Sequence, residues 1–95
     1  MPLDDLKASL TGDGPPAGLP ATVQALWHDA RGGWDRAHRI AQDIADTDGS
    51  WVHAYLHRKE GDLSNASYWY RRAGRSRPSL PLEEEWGQIA EALLG

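Results

Sequence analysis

The sequence contains no cysteine and no phenylalanine, a single methionine, and no apolar run long enough to cross a membrane. The absence of cysteine excludes disulfides, cysteine-ligated zinc sites and thiol chemistry. The first ten residues carry acidic side chains where a signal peptide has basic residues and then an apolar stretch, so we expect a cytoplasmic protein with no membrane partner. A net charge of −4 argues against general binding of nucleic acid.

Several common enzyme motifs are also absent. The segment GDGPPAG at 12–18 lacks the lysine and the following helix of a phosphate-binding loop. No serine lies in a nucleophile elbow. The pair His53 and His57 has the HxxxH spacing, but it lacks the intervening glutamate that acts as general base in zinc proteases. Nothing in the sequence therefore indicates a protease, an ATPase or a serine hydrolase.

The pattern that is present is helical. Apolar residues recur at intervals of three and four, and no stretch alternates β-branched with polar residues. Glycine, proline and cap residues divide the chain into five short helices, with one tryptophan in each and with Ser50 predicted as the cap of the third. We predict an all-α fold: an extended, partly ordered segment over 1–19, with a short helical turn at its start, and a single helical domain over 20–95. Surface scaling predicts a folded area of about 5,400 Å².

The helices repeat with a shift of 29 residues, which places Gly32 on Gly61 and Ala37 on Ala66. Two antiparallel helical hairpins and a C-terminal capping helix over 81–94 would make a short α-solenoid. Residues 50–78 resemble a tetratricopeptide repeat, W-x2-L-G-x2-Y, A-x3-F, P. The positions that carry the resemblance are Ala54, Ala66, Tyr70, Ala73 and Pro78, with His53 in the place of the leucine and His57 in the place of the tyrosine.

The first hairpin departs further from the repeat pattern, because Gln24 replaces the leucine and Ala41 replaces the phenylalanine. The run from His53 to Asp62, with the aromatic and basic residues that follow it, is similar to small helical proteins of unassigned function, and this likeness carries no activity. The tetratricopeptide likeness implies an interaction module that binds a protein or peptide in a groove. A two-repeat solenoid exposes its ends, so a homodimer is a further expectation.

A histidine-rich stripe is the sharpest chemical feature. His53, His57 and Glu60 have the spacing i, i+4, i+7, which places them on one side of the third predicted helix. Two imidazoles one turn apart can chelate a divalent ion, Glu60 can add a ligand, and His38 or His28 can complete the set. The candidate metals are zinc, iron and manganese. The alternatives are a histidine base held by Glu60, and histidines packed in the core without a function.

The second candidate site is aromatic and basic. Residues 58–77 contain six lysine and arginine residues against two acids. Aromatic rings beside arginine can hold an acidic or phosphate-bearing ligand. We expect Tyr68 and Arg72 to lie outside and Tyr70 inside, while Asn65 either satisfies the local backbone or binds. The candidate partner-binding residues are His53, His57, Glu60, Asn65, Tyr68, Arg71 and Arg72.

Two functions follow from these features. The first is a small interaction module that binds an acidic or phosphate-bearing partner. The second is a small metal-dependent or histidine-based enzyme centred on His53, His57 and Glu60, with His38 as an additional ligand. The direction of the histidine side chains distinguishes them, because a metal site requires the rings to converge.

Overall fold

The computed structural model describes all 95 residues and contains six α-helices and no strand, so the predicted all-α class is confirmed. The helices are α1 (Leu3–Ser9), α2 (Ala21–Ala30), α3 (Trp34–Gln42), α4 (Thr47–Glu60), α5 (Leu63–Arg72) and α6 (Leu82–Leu94). None of them is both long enough and apolar enough to traverse a bilayer. The accessible surface is 5309 Å², close to the area predicted from the chain length.

The apolar stripes of the helices meet in one core of 18 buried residues, to which α2 and α4 contribute most. Val23 and Leu26 of α2 and Val52 and Leu56 of α4 are completely buried. The core extends to the N-terminal helix, because Leu6 is also completely buried. The indole N–H of Trp27 donates to the Ser9 hydroxyl oxygen at 3.0 Å, which ties α1 to α2.

The order of packing along the chain places α3, α4 and α5 side by side. The most extensive contacts are those of α4 with α5 and of α2 with α3, and α3 lies against α4 as well. Helix α6 covers α2 and α4 from another side, where the Trp86 indole donates to the Leu26 carbonyl oxygen at 2.8 Å. The face of α4 opposite α6 therefore lies between α3 and α5, and His53 and His57 are on this face.

The predicted start of the third helix is wrong. Asp46, not Ser50, caps α4: its carboxylate accepts the Gly49 backbone N–H at 2.8 Å, and Ser50 is a buried residue inside the helix. The extra turn requires a glycine, because a Cβ atom at Gly49 would lie 2.3 Å from the Ile44 carbonyl oxygen. The helix therefore begins within the cluster of turn residues, at Thr47, four residues earlier than the predicted cap at Ser50 would allow.

The predicted helix ends agree better with the structure. Helices α2 and α4 are followed by Gly32 and Gly61, with φ of 83° and 91°, which is the left-handed conformation that glycine adopts without strain. Helices α3 and α5 then begin at Trp34 and Leu63. The 29-residue shift seen in the sequence therefore also relates these helix boundaries.

Candidate metal centre

Three histidines converge from two helices. His38 lies on α3, and His53 and His57 lie one turn apart on the face of α4 that α3 covers. The Nε2 atoms of His38 and His53 are 3.0 Å apart. One ring nitrogen from each of the three histidines lies within 4.8 Å of the other two, so the cluster can hold a metal ion. His28, the other predicted candidate, lies outside this group, edge-on to Trp27 at 5.1 Å.

Two tryptophans enclose the imidazoles. Trp34 stacks on His38 with the ring centroids 5.0 Å apart and the planes at 12°, and Trp69 stacks on His53 at 4.1 Å and 23°. The Trp34 indole N–H donates to the Leu56 carbonyl oxygen at 2.8 Å, which fixes the Trp34 ring. The aromatic rings on both sides restrict the rotamers of His38 and His53.

The electrostatics of the cluster favour neutral rings at His38 and His53. Burial, then the proximity of His38 and then that of His57, lower the pKa of His53 to about 4. Burial and the nearby His57 also lower the pKa of His38, although Glu60 and Asp35 oppose the shift. His53 and His38 are therefore mainly uncharged at neutral pH. An uncharged imidazole has one nitrogen with the lone pair that a metal ion requires. The Nε2 atoms of His38 and His53 share a hydrogen bond at 3.0 Å, so the ring that donates it must move its proton to Nδ1 before both Nε2 atoms can bind an ion.

Glu60 acts on His57 from the far side of the ring. Its Oε2 lies 2.6 Å from His57 Nδ1, so the carboxylate accepts a hydrogen bond from the Nδ1–H group. This interaction favours the tautomer of His57 whose Nε2 carries a free lone pair. Carboxylates that hold the second nitrogen of a ligating histidine are a regular feature of zinc sites. Of the two roles that the sequence left open for Glu60, metal ligand or partner of an imidazole, the geometry favours the second.

A second set of potential ligand atoms, from His57, Glu60 and Asp62, also lies within 4.8 Å. Both carboxylates of this set are exposed. Asp62 caps α5, since its carboxylate accepts the Asn65 backbone N–H at 3.3 Å, and Glu60 is occupied by His57 Nδ1. These two carboxylates already have partners in the protein, so the buried imidazole cluster is the better candidate.

The chain stands without a match. No family model, no curated protein and no solved structure matches it. The tetratricopeptide likeness therefore rests on the residue pattern alone, and the chemistry of the site rests on the geometry described above.

The remaining predicted binding residues lie on α5, in two groups. Asn65 points into the cluster, with its side-chain nitrogen 3.4 Å from His57 Nε2. Tyr68 and Arg72 lie outside, as predicted; Tyr68 is 45% exposed, and the Arg72 guanidinium lies over its ring at 5.8 Å and over that of Trp69 at 5.4 Å. Arg71 is exposed. Trp69 lies between the two groups: its ring stacks on His53, and the Arg72 guanidinium lies over it.

The two tryptophans that stack on the histidines, Trp34 and Trp69, were not predicted from the sequence. Trp34 precedes His38 by four residues, so helical spacing alone would have placed the two rings on one face. The contact between Trp69 and His53 had no such signal, because it depends on how α5 packs against α4.

A second buried polar group was also missed. Asp29 is 1% exposed and accepts hydrogen bonds from the Tyr55 hydroxyl and the Lys59 ammonium, each at 3.0 Å. It lies beside an open groove of about 890 Å³ that α1, α2, α4 and α6 border. Its carboxylate is satisfied by these two donors.

Proposed function

We propose that this chain binds one divalent transition-metal ion, zinc in the first place, through His38, His53 and His57. The observation that carries the proposal is the convergence of three buried or half-buried ring nitrogens within 4.8 Å. Two nitrogens bound to one zinc ion at about 2.0–2.1 Å are themselves about 3.0–3.4 Å apart, depending on the angle between the bonds. The 3.0 Å separation of His38 Nε2 and His53 Nε2 already falls in this range.

The ligand chemistry selects among the three metals considered. Imidazole suits zinc and iron, whereas manganese prefers carboxylate and water oxygens. The cluster offers three imidazoles, and the carboxylate of Glu60 is engaged by His57 Nδ1. The set therefore favours zinc over manganese. Ferrous iron in enzymes commonly uses two histidines with one carboxylate, and a set of three imidazoles differs from that pattern.

Calorimetric titration of zinc into chelator-treated, untagged protein tests the proposal. We expect one ion per chain, and we expect His53→Gln and His57→Gln each to abolish tight binding, because each removes one of three ligands. His28→Gln is the matched control: it makes the same exchange on α2, outside the cluster, and leaves the binding unchanged. Absence of binding in the wild type, or equal weakening in all three variants, would contradict a site at this cluster.

A second function is favoured by the outer face of α5. The exposed ring of Tyr68 with the Arg72 guanidinium over it, and the exposed Arg71 beside it, form a cationic surface in a chain of net charge −4. Such a surface fits an acidic or phosphate-bearing peptide. The chain would then be an interaction module, as the tetratricopeptide likeness implies. Fluorescence anisotropy with a labelled phosphopeptide tests it. Exchanging both arginines for alanine should abolish binding, whereas Arg39→Ala, an exposed arginine on α3, should not.

A further inference from the structure

The site proposed above has three protein ligands, and the presence or absence of a fourth distinguishes two classes of zinc site. Structural zinc sites are closed by four protein ligands, whereas catalytic sites keep one position for water or substrate. The inference that follows rests on the proposed metal site. It concerns Asn65 of α5, whose side-chain amide reaches His57.

Asn65 lies in the first turn of α5, one turn before Trp69. Its backbone N–H is satisfied by the Asp62 carboxylate at 3.3 Å, so its side chain is not needed to cap the helix. The side chain turns instead toward α4, where its amide nitrogen lies 3.4 Å from His57 Nε2. Trp69, on the same face of α5, stacks on His53 at 4.1 Å. This face of α5 therefore closes the cluster on the side opposite α3.

The amide interacts only weakly with the imidazole as it stands. A separation of 3.4 Å is long for an N–H···N hydrogen bond, which is usually made at about 2.9–3.0 Å. A half-turn about the last side-chain bond exchanges the amide nitrogen for its oxygen. The rotation sacrifices only that long hydrogen bond, and it brings the carbonyl oxygen Oδ1 to the position next to His57 Nε2.

The distances leave room for a shared ion. The three imidazole nitrogens lie within 4.8 Å of one another, and the Asn65 amide nitrogen lies 3.4 Å from His57 Nε2. Ligand atoms on one zinc ion are about 3.0–3.4 Å apart, so the side chains would draw together on binding. Glu60 cannot replace Asn65, since it is bound to the opposite nitrogen of His57. We propose that Asn65 Oδ1 is the fourth ligand, which closes an N₃O site for zinc or cobalt and makes the ion a link between α3, α4 and α5.

Cobalt(II) is the probe for the test, because its visible absorption reports both binding and the ligand set. Wild type, Asn65→Ala, Asn65→Asp and the control Ser64→Ala are titrated with cobalt chloride, and their circular dichroism is compared. We expect Asn65→Ala to bind one cobalt ion with an affinity lower by roughly 10- to 100-fold and with an altered spectrum, because water replaces the amide oxygen. Ser64 is exposed, so its variant should match the wild type.

Asn65→Asp keeps an oxygen at the same place and adds a charge, so it should bind cobalt at least as tightly as the wild type. If Asn65→Ala does not fold, the affinity of Asn65→Asp tests the inference. Unchanged affinity and spectrum in Asn65→Ala, or loss of binding in Asn65→Asp, would overturn the inference while leaving the three-histidine site intact. Failure of the wild type to bind cobalt would overturn both proposals.

Discussion

Acid should destabilise the metal-free protein through its histidine cluster, and the size of the effect follows from His53. This residue is 6% exposed, and its pKa is about 4 in the folded protein, compared with 6.5 for a histidine that is fully exposed to water. Between these two values the unfolded chain binds a proton that the folded chain does not, so stability falls as the pH falls. From pH 7 to pH 5, His53 alone accounts for a loss of about 2 kcal/mol. The lowered pKa of His38 adds a loss of the same sign.

Urea unfolding at pH 7, 6 and 5 in the presence of a chelator measures this loss. The His53→Gln variant removes the group that titrates, so its free energy of unfolding should fall by about 2 kcal/mol less than that of the wild type over the same range. A domain of this size is typically stable by about 5–10 kcal/mol, so the difference is easily resolved. The same pH slope in both proteins, or a wild type that is more stable at pH 5 than at pH 7, would refute the reasoning.

Two packing predictions concern the frame around the site and are checked by the same unfolding assay at pH 7. Gly49→Ala should lose about 2 kcal/mol or more, because its Cβ atom would lie 2.3 Å from the Ile44 carbonyl oxygen. Gly87→Ala in α6 should gain about 0.5–1 kcal/mol, because its Cβ atom would meet only the Leu3 side chain, at an ordinary contact distance of 3.8 Å. The reverse order would contradict the close approach at α4. Glu85→Ala should lose about 3 kcal/mol or more, because it leaves the Arg58 guanidinium without the carboxylate it contacts at 2.8 Å; Glu84→Ala, exposed on the same helix, is the control, and an equal loss in both would contradict the buried ion pair.

The helices were predictable because their signals are local. Apolar spacing and the glycines at 32 and 61 act within one or two turns, so the all-α class and the ends of α2 and α4 could be inferred from the sequence. The start of α4 was mispredicted because two residues in one turn cluster can cap a helix. Which of them does so depends on the contact of Gly49 with Ile44, and that contact forms only when the chain folds.

The site was partly predictable for the same reason. His53 and His57 share a helix, so their proximity follows from spacing. The contact of His38 with His53 requires α3 to pack on α4. The sequence alone allowed either His38 or His28 to complete the set, and the prediction of His38 had no local signal behind it. The role of Glu60 was also open, because a residue three positions beyond His57 can approach either the ion or the ring. The structure places it on the ring at 2.6 Å.

X-ray absorption at the zinc edge tests the central claim most directly, because it counts the ligands of the ion itself. Untagged protein is loaded with one equivalent of zinc and its metal content is verified by elemental analysis. We predict a four-coordinate ion with three imidazole nitrogens at about 2.0–2.1 Å. A shell with one imidazole and carboxylate oxygens, as the exposed set of His57, Glu60 and Asp62 would produce, or a protein that retains no zinc, would contradict a metal site at His38, His53 and His57.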